Sequence, residues 1–291
     1  MKRKITIGDV VIQLALLFIC FVCLFPFYYV LIVSFADPVV FMNKTIYALP
    51  YSFSTSAYRM LIEEGSMLNA SAISVFITVA GTAMSMLTST MAAYGLSKKG
   101  APLRKFFMNM VLITMFFGGQ LIPYYIQIKS LGLINNIWVL ILPMLVSPFY
   151  LIILKNYFLT IPSGLEESAK MDGANDFMVL VRIVVPISLP ILASITLFYA
   201  VDKWNEWWHA MLFLNDKAKW PMQMMLREIL ANLASSSLSP MGRMMAARFS
   251  NMNPLTAKMA ALIMTAVPII IVYPFLQKYF TKGIMIGSIK E

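Results

Sequence analysis

The connection at residues 161–190 contains side chains with well-defined local chemistry. Ser163, followed three residues later by Glu166, fits a capping box, in which a hydroxyl and a carboxylate each accept a free backbone N–H at a helix start. Acidic side chains at Glu166 and Glu167 are also stabilised by the positive end of the helix dipole. The sequence therefore predicts a short helix capped by Ser163.

The end of this helix is marked as clearly as its start. Gly173 is the residue type that ends a helix in a left-handed conformation, and Asp176 is suited to cap a second helix. A short helix with polar ends and an Ala/Met side suits docking into a groove of another protein. The same pattern also fits an amphipathic loop on a membrane surface, and the local chemistry does not choose between the two.

A second set of polar and aromatic residues lies at the end of an apolar segment, at residues 202–209. Sugars stack on aromatic rings and bond through their hydroxyls, so Trp204 with Asn205 and Glu206 is a candidate lining for a sugar passage. The alternative is an aromatic belt at a membrane interface, with the charged side chains reaching water. Further candidates of the same kind end another apolar segment: Tyr124, Tyr125 and Gln127.

Other reactive sites are not indicated. Cys20 and Cys23 form a CxxC, but inside an apolar run where neither a redox partner nor zinc has access, which favours a packing role. The single histidine, His209, has no second histidine to complete a metal site. The sequence also lacks the GxxxxGK[ST] phosphate loop. We therefore predict no catalytic residue, metal or cofactor in this chain.

The elements that must position these residues are apolar. Hydrophobic residues make up 60% of the 291 residues and charged residues only 12%, a balance typical of membrane proteins. Segments long enough to cross a hydrocarbon layer of about 30 Å predict six spans. They cover residues 11–33, 69–94, 106–128, 137–158, 187–209 and 256–276.

The basic residues indicate orientation. The net charge of +10 is scattered between apolar segments, which argues against a nucleic-acid-binding surface. By the positive-inside rule, both termini are expected in the cytoplasm. The basic residues on that predicted side are Lys2, Arg3, Lys4, Lys98, Lys99, Arg104, Lys105, Lys155, Lys170, Arg182, Lys278, Lys282 and Lys290.

The longer connections, residues 34–68 and 210–255, fall on the opposite side. Residues 220–233 predict an amphipathic helix on the outer surface, where a partner can dock. No internal repeat or separate soluble region is visible, so residues 1–291 are predicted to form a single all-α membrane domain.

The loop at 161–190 also carries a family resemblance. The run ESAKMDG at 167–173, nine residues, then IVVP at 183–186 resembles the EAA loop of ATP-binding-cassette importer permeases. Ser168 and Val185 depart from the usual Ala and Leu but keep small size or apolarity. The run AKMDGA at 169–174 and the Trp204-Asn205 pair are similar to the carbohydrate-uptake branch, and the six-span layout is similar to its maltose-type second permease.

This resemblance implies a polytopic, six-transmembrane-helix type I importer permease in a bacterial plasma membrane. It implies that the loop sits in a cleft of a cytoplasmic ATPase and moves with it, tilting the bundle between inward- and outward-open states. The implied partners are a second permease, two ATPase subunits that bind ATP and Mg, an extracytoplasmic binding protein, an oligosaccharide or polysaccharide fragment, and membrane lipids. The implied coupling residues are Glu166, Glu167, Ser168, Ala169, Met171, Asp172, Gly173 and Ala174.

Two other kinds of function stay open at this point. The same machinery can carry another solute, such as amino acids or polyamines. An integral-membrane enzyme acting on lipids is a more distant alternative, because such enzymes gather carboxylates or histidines at a membrane face, whereas the 13 acidic residues here are dispersed. Nothing resembles a channel selectivity filter.

Overall fold

The computed structural model describes residues 7–37, 52–63, 65–117, 120–235 and 254–288, and within these residues the secondary structure is helical. An all-α fold is thereby confirmed. In chain order the helices are α1 (Ile7–Ser34), α2 (Ser56–Glu63), α3 (Ser66–Ser97), α4 (Arg104–Phe116), α5 (Leu121–Ser130), α6 (Pro148–Phe158), α7 (Ser163–Met171), α8 (Asp176–Ile187), α9 (Leu189–Trp204), α10 (Trp208–Phe213), α11 (Met222–Ser235) and α12 (Pro254–Ser288).

Three helices are individually long and apolar enough to cross a membrane: α1, α3 and the Leu255–Val272 part of α12. They coincide with the first, second and sixth predicted spans. Each forms its backbone hydrogen bonds within its own helix, as the hydrocarbon layer requires.

The fourth and fifth predicted spans are bent. Short 3-10 turns at Ile137–Met144 meet α6 at 42°, and α8 meets α9 at 87°. If each bent pair counts as one span, up to five candidate spans lie in the described residues. Proline lies next to both bends, at Pro148 and Pro190, where its ring and missing N–H interrupt a helix.

The third predicted span, residues 106–128, is not one continuous helix. α4 ends at Phe116, Phe117 leaves helical geometry at φ −108° and ψ 74°, and α5 begins only at Leu121. Gly118 and Gly119, which lie outside the described residues, occupy this junction in the sequence, and glycine favours such interruptions. The count of six spans stays a prediction.

The described residues fall into two compact units, one from parts of Met1–Leu68 and Leu226–Pro268, the other from parts of Asn69–Met225 and Ile269–Glu291. In the first, Val33 and Ala36 pack against Leu255 and Met259, and Tyr58 donates a 2.7 Å hydrogen bond to Ser34. The prediction of one domain over residues 1–291 stays a prediction.

The second unit has two apolar cores, and these position the candidate sites. One core joins α3, α6, α8 and α9 through residues such as Ala93, Leu154 and Ile195. The other joins α3, α5, α10 and the turn at Ile137–Leu140, with Ile77 and Phe213 at its centre. Four serines of α3 are buried, Ser74, Ser85, Ser89 and Ser97, and their small size suits close packing against neighbouring helices.

Candidate functional site

The loop helix α7 ends as the sequence predicts. Gly173 has φ +86°, its N–H donates to the Lys170 carbonyl at 3.0 Å, and the Ala174 N–H donates to the Ala169 carbonyl at 2.9 Å. This pair of bonds is the Schellman motif, which satisfies carbonyls that the helix end would leave free. The left-handed position at Gly173 is therefore confirmed.

The start of α7 differs from the prediction. Pro162, not Ser163, is the N-cap residue, and no side chain caps the helix there. The Glu166 carboxylate instead forms an ion pair with Lys98 at the end of α3. An ammonium is a stronger partner than a backbone N–H, so the capping box is replaced by a tertiary contact.

The cap of the second helix was also assigned to the wrong residue. The Asn175 side chain accepts the Met178 N–H at 2.8 Å and is the cap of α8. Asp176 lies in the first turn, and its carboxylate is 2.7 Å from the Lys170 ammonium. That hydrogen bond raises the pKa of Lys170. Asp176 therefore ties α7 to α8 by its charge.

The remaining predicted coupling residues divide between two faces of α7. Ala169 and Ala174 pack against the core of α3, α6, α8 and α9. Glu167, Ser168 and Asp172 are exposed, and Met171 is 88% exposed. The helix is thus fixed to its own bundle on one face while the opposite face stays open for contact.

Lys98 anchors this arrangement. Its ammonium pairs with Glu166 and lies 3.9 Å from the centre of the Tyr94 ring, a cation–π contact. The Lys98 and Glu166 side chains are only 23% and 19% exposed, so their attraction is less screened than that of a surface pair. A cavity of about 670 Å³ opens beside them, with Lys99 and Lys170 in its lining.

At the other candidate site, Trp204 and Asn205 have structural contacts. Trp204 is 7% exposed, so little of its ring is open to a ligand. Asn205 ends α9: its side-chain N–H donates to the Val201 carbonyl at 3.0 Å, and its oxygen accepts the Gln223 amide at 3.0 Å. Asn205 therefore joins the end of α9 to α11, whose observed bounds confirm a helix in the predicted 220–233 region.

Glu206 is buried and binds His209. Its Oε1 accepts the His209 backbone N–H at 2.8 Å and lies 3.1 Å from Nδ1 of the same residue. Because α9 ends at Trp204, Glu206 does not continue the helical face of Asp202, which accepts the Tyr150 hydroxyl at 2.8 Å. The i, i+4 spacing of these two carboxylates in the sequence therefore does not place them on one helical face.

The aromatic candidates on α5 do come together with the His209 region. Tyr124 contacts the rings of His209 and Phe213 edge-on, at 5.9 and 5.6 Å between centres. Tyr125 stacks on Phe213 at 5.7 Å and is 39% exposed, while Gln127 is exposed. We call Tyr124, Tyr125, His209 and Phe213 the aromatic cluster. It has rings on which a sugar can stack.

The sequence shows Lys203 as a charge at the end of an apolar segment, but it does not predict that this residue is buried against the bend of the fourth span. Lys203 is 1% exposed and Tyr199 is 2% exposed, and both contact the bend of the fourth span. The available signal was the pair of prolines at 143 and 148, which remove backbone donors. Within the described residues, no three His, Cys, Asp or Glu side chains group as metal ligands, and Cys20 and Cys23 are exposed free thiols.

Comparison with known proteins gives a consistent result. Residues 10–286 match the family model described as "Binding-protein-dependent transport system inner membrane component". The Polygalacturonan/rhamnogalacturonan transport system permease protein YtcP of Bacillus subtilis is 44% identical over 283 residues, covering 97% of this chain and 98% of that protein. Protein LplC of Bacillus subtilis is 40% identical, covering 92% of this chain and 90% of its own.

A solved structure is similar over nearly the whole fold. It is a bacterial ABC transporter involved in the import of the acidic polysaccharide alginate, and one of its chains matches with a TM-score of 0.86 at 29% identity. The match covers 96% of this chain and all of that chain.

Proposed function

The chain belongs to the family of binding-protein-dependent transport system inner membrane components, and we propose that it imports oligosaccharides or polysaccharide fragments by alternating access. The observation that carries this proposal is the family match over residues 10–286. The chain is a transport permease subunit, not an enzyme. The relatives named for polygalacturonan, rhamnogalacturonan and alginate favour fragments of acidic polysaccharides over amino acids or polyamines.

ATP hydrolysis belongs to partner subunits in this proposal. The sequence has no Gly-Lys pair and so no phosphate loop, which supports the assignment of ATP and Mg binding to two partner ATPase subunits. The open face of α7, with Glu167, Ser168, Met171 and Asp172, docks into a cleft of one ATPase. Its opposite face, held by Ala169, Ala174 and the Lys98–Glu166 pair, passes the movement to the bundle.

The remaining partners follow from the same family. A second permease completes the pathway, and an extracytoplasmic binding protein delivers the glycan to the connection at residues 210–255. Both termini lie in the cytoplasm of a bacterial cell, because basic residues flank the spans on that side. Within the pathway, the aromatic cluster is the part best suited to contact sugar, because Tyr125 keeps an exposed ring.

The test is to purify the chain with its associated proteins and reconstitute the complex in vesicles. Oligogalacturonate, alginate fragments and neutral oligosaccharides are then delivered by the binding protein while ATP hydrolysis is measured. We expect a uronate-containing oligosaccharide to stimulate hydrolysis and to enter the vesicles. Stimulation only by amino acids or polyamines, or purification without an ATPase, would contradict the proposal.

Two sets of variants test its parts. Glu167→Lys should reduce the ATPase retained during purification, because it reverses a charge on the open face of α7, whereas Ser168→Ala on the same face should retain it.

The orientation of the chain is tested by labelling. Single cysteines at Lys99 and Ser237 in a Cys20→Ser, Cys23→Ser background should be labelled from opposite sides by an impermeant reagent. Equal labelling from outside would contradict the topology.

A further inference from the structure

The fourth apolar segment is interrupted in its middle. Its 3-10 turns at Ile137–Met144 and the helix α6 meet at 42°. Ser147, between them, is extended at φ −83° and ψ 121°, the conformation favoured before a proline, here Pro148. Inside a membrane, every backbone group at such an interruption needs a partner from the protein.

The first carbonyl without a helical partner is that of Leu140. The residue three positions on is Pro143, which has no N–H. The residue four positions on, Met144, donates its N–H to the Ile141 carbonyl at 3.3 Å. The Leu140 oxygen is therefore left for a donor from outside its own segment.

The second is the carbonyl of Met144. Pro148, four positions on, again lacks an N–H, and Ser147, three positions on, donates its N–H to the Tyr199 hydroxyl at 3.0 Å. That hydroxyl is also 2.7 Å from the Ser89 hydroxyl of α3. The prolines thus leave two carbonyls and one N–H to be satisfied by side chains.

Lys203 satisfies both carbonyls. Its ammonium donates to Leu140 at 3.2 Å and to Met144 at 3.4 Å, and the residue is 1% exposed. Its stem runs along α3, where a Cβ at Gly81 would lie 3.2 Å from Cδ and Cε of Lys203. The absence of a side chain at Gly81 therefore leaves room for the lysine.

Two simpler roles for Lys203 do not fit this geometry. A lysine that reaches water from a membrane span would be exposed at its end, which Lys203 is not. A counter-ion role alone does not account for its position: Asp202 and Glu206 interact with its charge, but they bind the Tyr150 hydroxyl and His209, and among the described residues no carboxylate forms a direct ion pair with Lys203.

We propose that Lys203 and Tyr199 are positioning residues that join the interrupted fourth span to α9, so that the two move as one body. They lie four residues apart and so share one face of α9. The proposal rests on the proposed function: α7 lies in the chain between α6 and α9, and a push on it reaches both. Without this joint, the break at residues 144–148 would bend and absorb the movement.

The experiment uses the assembled importer with Lys203→Met, Tyr199→Phe and Pro148→Ala, and with Pro148→Ala combined with each of the other two changes. The exposed Lys105→Met is the matched control. Two quantities are measured: the thermal midpoint of the purified complex, and glycan uptake per ATP hydrolysed in vesicles. Methionine keeps the length of the lysine stem and removes only the ammonium donors.

We expect Lys203→Met to lower the midpoint by several degrees and uptake per ATP by about tenfold, with a smaller loss of both for Tyr199→Phe. Pro148→Ala restores an N–H for the Met144 carbonyl and frees Ser147 to become helical. The midpoint deficit of Lys203→Met should therefore shrink by about half in the Pro148→Ala background, a non-additivity that lost packing alone would not produce.

Equal midpoint deficits in both backgrounds would overturn the proposal, as would unchanged uptake per ATP in both Lys203→Met and Tyr199→Phe. If Lys203→Met does not assemble, Tyr199→Phe with and without Pro148→Ala decides in its place. If the wild-type importer shows no glycan-stimulated hydrolysis, the proposed function fails, while the midpoint comparison still decides whether the joint exists.

Discussion

Two interruptions of helical structure in this chain are stabilised in opposite ways. At the end of α7, Gly173 turns the chain, and the freed carbonyls are satisfied by the backbone of the next two residues. At residues 140–148, the freed groups are satisfied by Lys203 and Tyr199 of α9, which lie far away in sequence, and Ser89 of α3 bonds in turn to the Tyr199 hydroxyl. The first turn is exposed and can also bond to water, whereas the second is half-buried and takes its donors from side chains of the bundle.

This difference has a functional consequence. A turn that satisfies itself keeps its shape when a partner pulls on it, so α7 can serve as a rigid contact. A break that depends on side chains from another span is fixed only while that span stays in place, so it links the two spans. Each prediction below tests part of this comparison.

The largest effect is expected for Gly173→Val. Nothing lies within 4 Å of a Cβ at Gly173, so the cost is the left-handed backbone itself at φ +86°. A side chain there costs about 1–2 kcal/mol, and a β-branched one more. We expect loss of ATPase retention and at least about a tenfold loss of uptake, with membrane insertion unchanged.

Gly173→Asn is the matched control, because asparagine tolerates the left-handed conformation. It should retain most of the uptake and most of the bound ATPase. Equal loss in the Val and Asn variants would mean that the glycine is needed for contact with the partner and not for the turn.

The next effect concerns the Lys98–Glu166 pair. Lys98→Met and Glu166→Gln should each lower uptake per ATP, and a double-mutant cycle on stability should give a coupling of about 1 kcal/mol, since the pair is partly buried. The exposed pair Arg59–Glu63, at 4.0 Å with side chains 75% and 71% exposed, should give less than about half of that. Additive single variants at Lys98 and Glu166 would remove this contact from the transmission of movement.

The sequence predicts contacts between residues that are close along the chain and misses contacts between residues that are far apart. Gly173 and the short helix before it are readable because the Schellman bonds span only six residues. The partner of Glu166 cannot be read from the sequence in this way, because Lys98 is 68 positions away. For the same reason the predicted Ser163 capping box is wrong, since Glu166 forms a tertiary ion pair instead. Apolar length located α1, α3 and α12 but not the bends, because prolines are tolerated in straight membrane helices too.

The aromatic region shows the same limit. Ring types and spacing indicated Tyr124, Tyr125, Trp204 and Asn205, but only the contacts show that Trp204 is buried and that Asn205 ends a helix. Lys203 can be recognised in the sequence as an intramembrane charge. Its partners cannot, because they are backbone carbonyls, which every residue has. Composition therefore predicts which residues are unusual, and the fold decides what they do.

A smaller effect is expected at Glu206. Its carboxylate accepts the His209 N–H at the start of α10, so Glu206→Ala should lower stability by about 1 kcal/mol, and Glu206→Gln, which keeps an acceptor, by less. If this contact is structural, neither change should alter the glycan concentration for half-maximal uptake. Tyr125→Ala, which removes an exposed ring, should raise the glycan concentration for half-maximal uptake. The reverse result would make Glu206 a substrate contact.

The smallest effect is expected for Gly81→Ala, where two terms oppose each other. Alanine in a helix interior is favoured over glycine by about 0.5–1 kcal/mol, but its Cβ would approach Cδ and Cε of Lys203 to 3.2 Å. The flexible lysine can shift by a few tenths of an ångström, which lengthens its 3.4 Å bond to Met144 beyond hydrogen-bonding range. We therefore expect little change in the thermal midpoint and less than about a twofold loss of uptake per ATP. In a Lys203→Ala background the same change should be purely stabilising, because the crowded atoms are gone. Equal effects in both backgrounds would show that the lysine stem does not press on this position, and the contribution of α3 to the joint would then be its Ser89 contact with Tyr199.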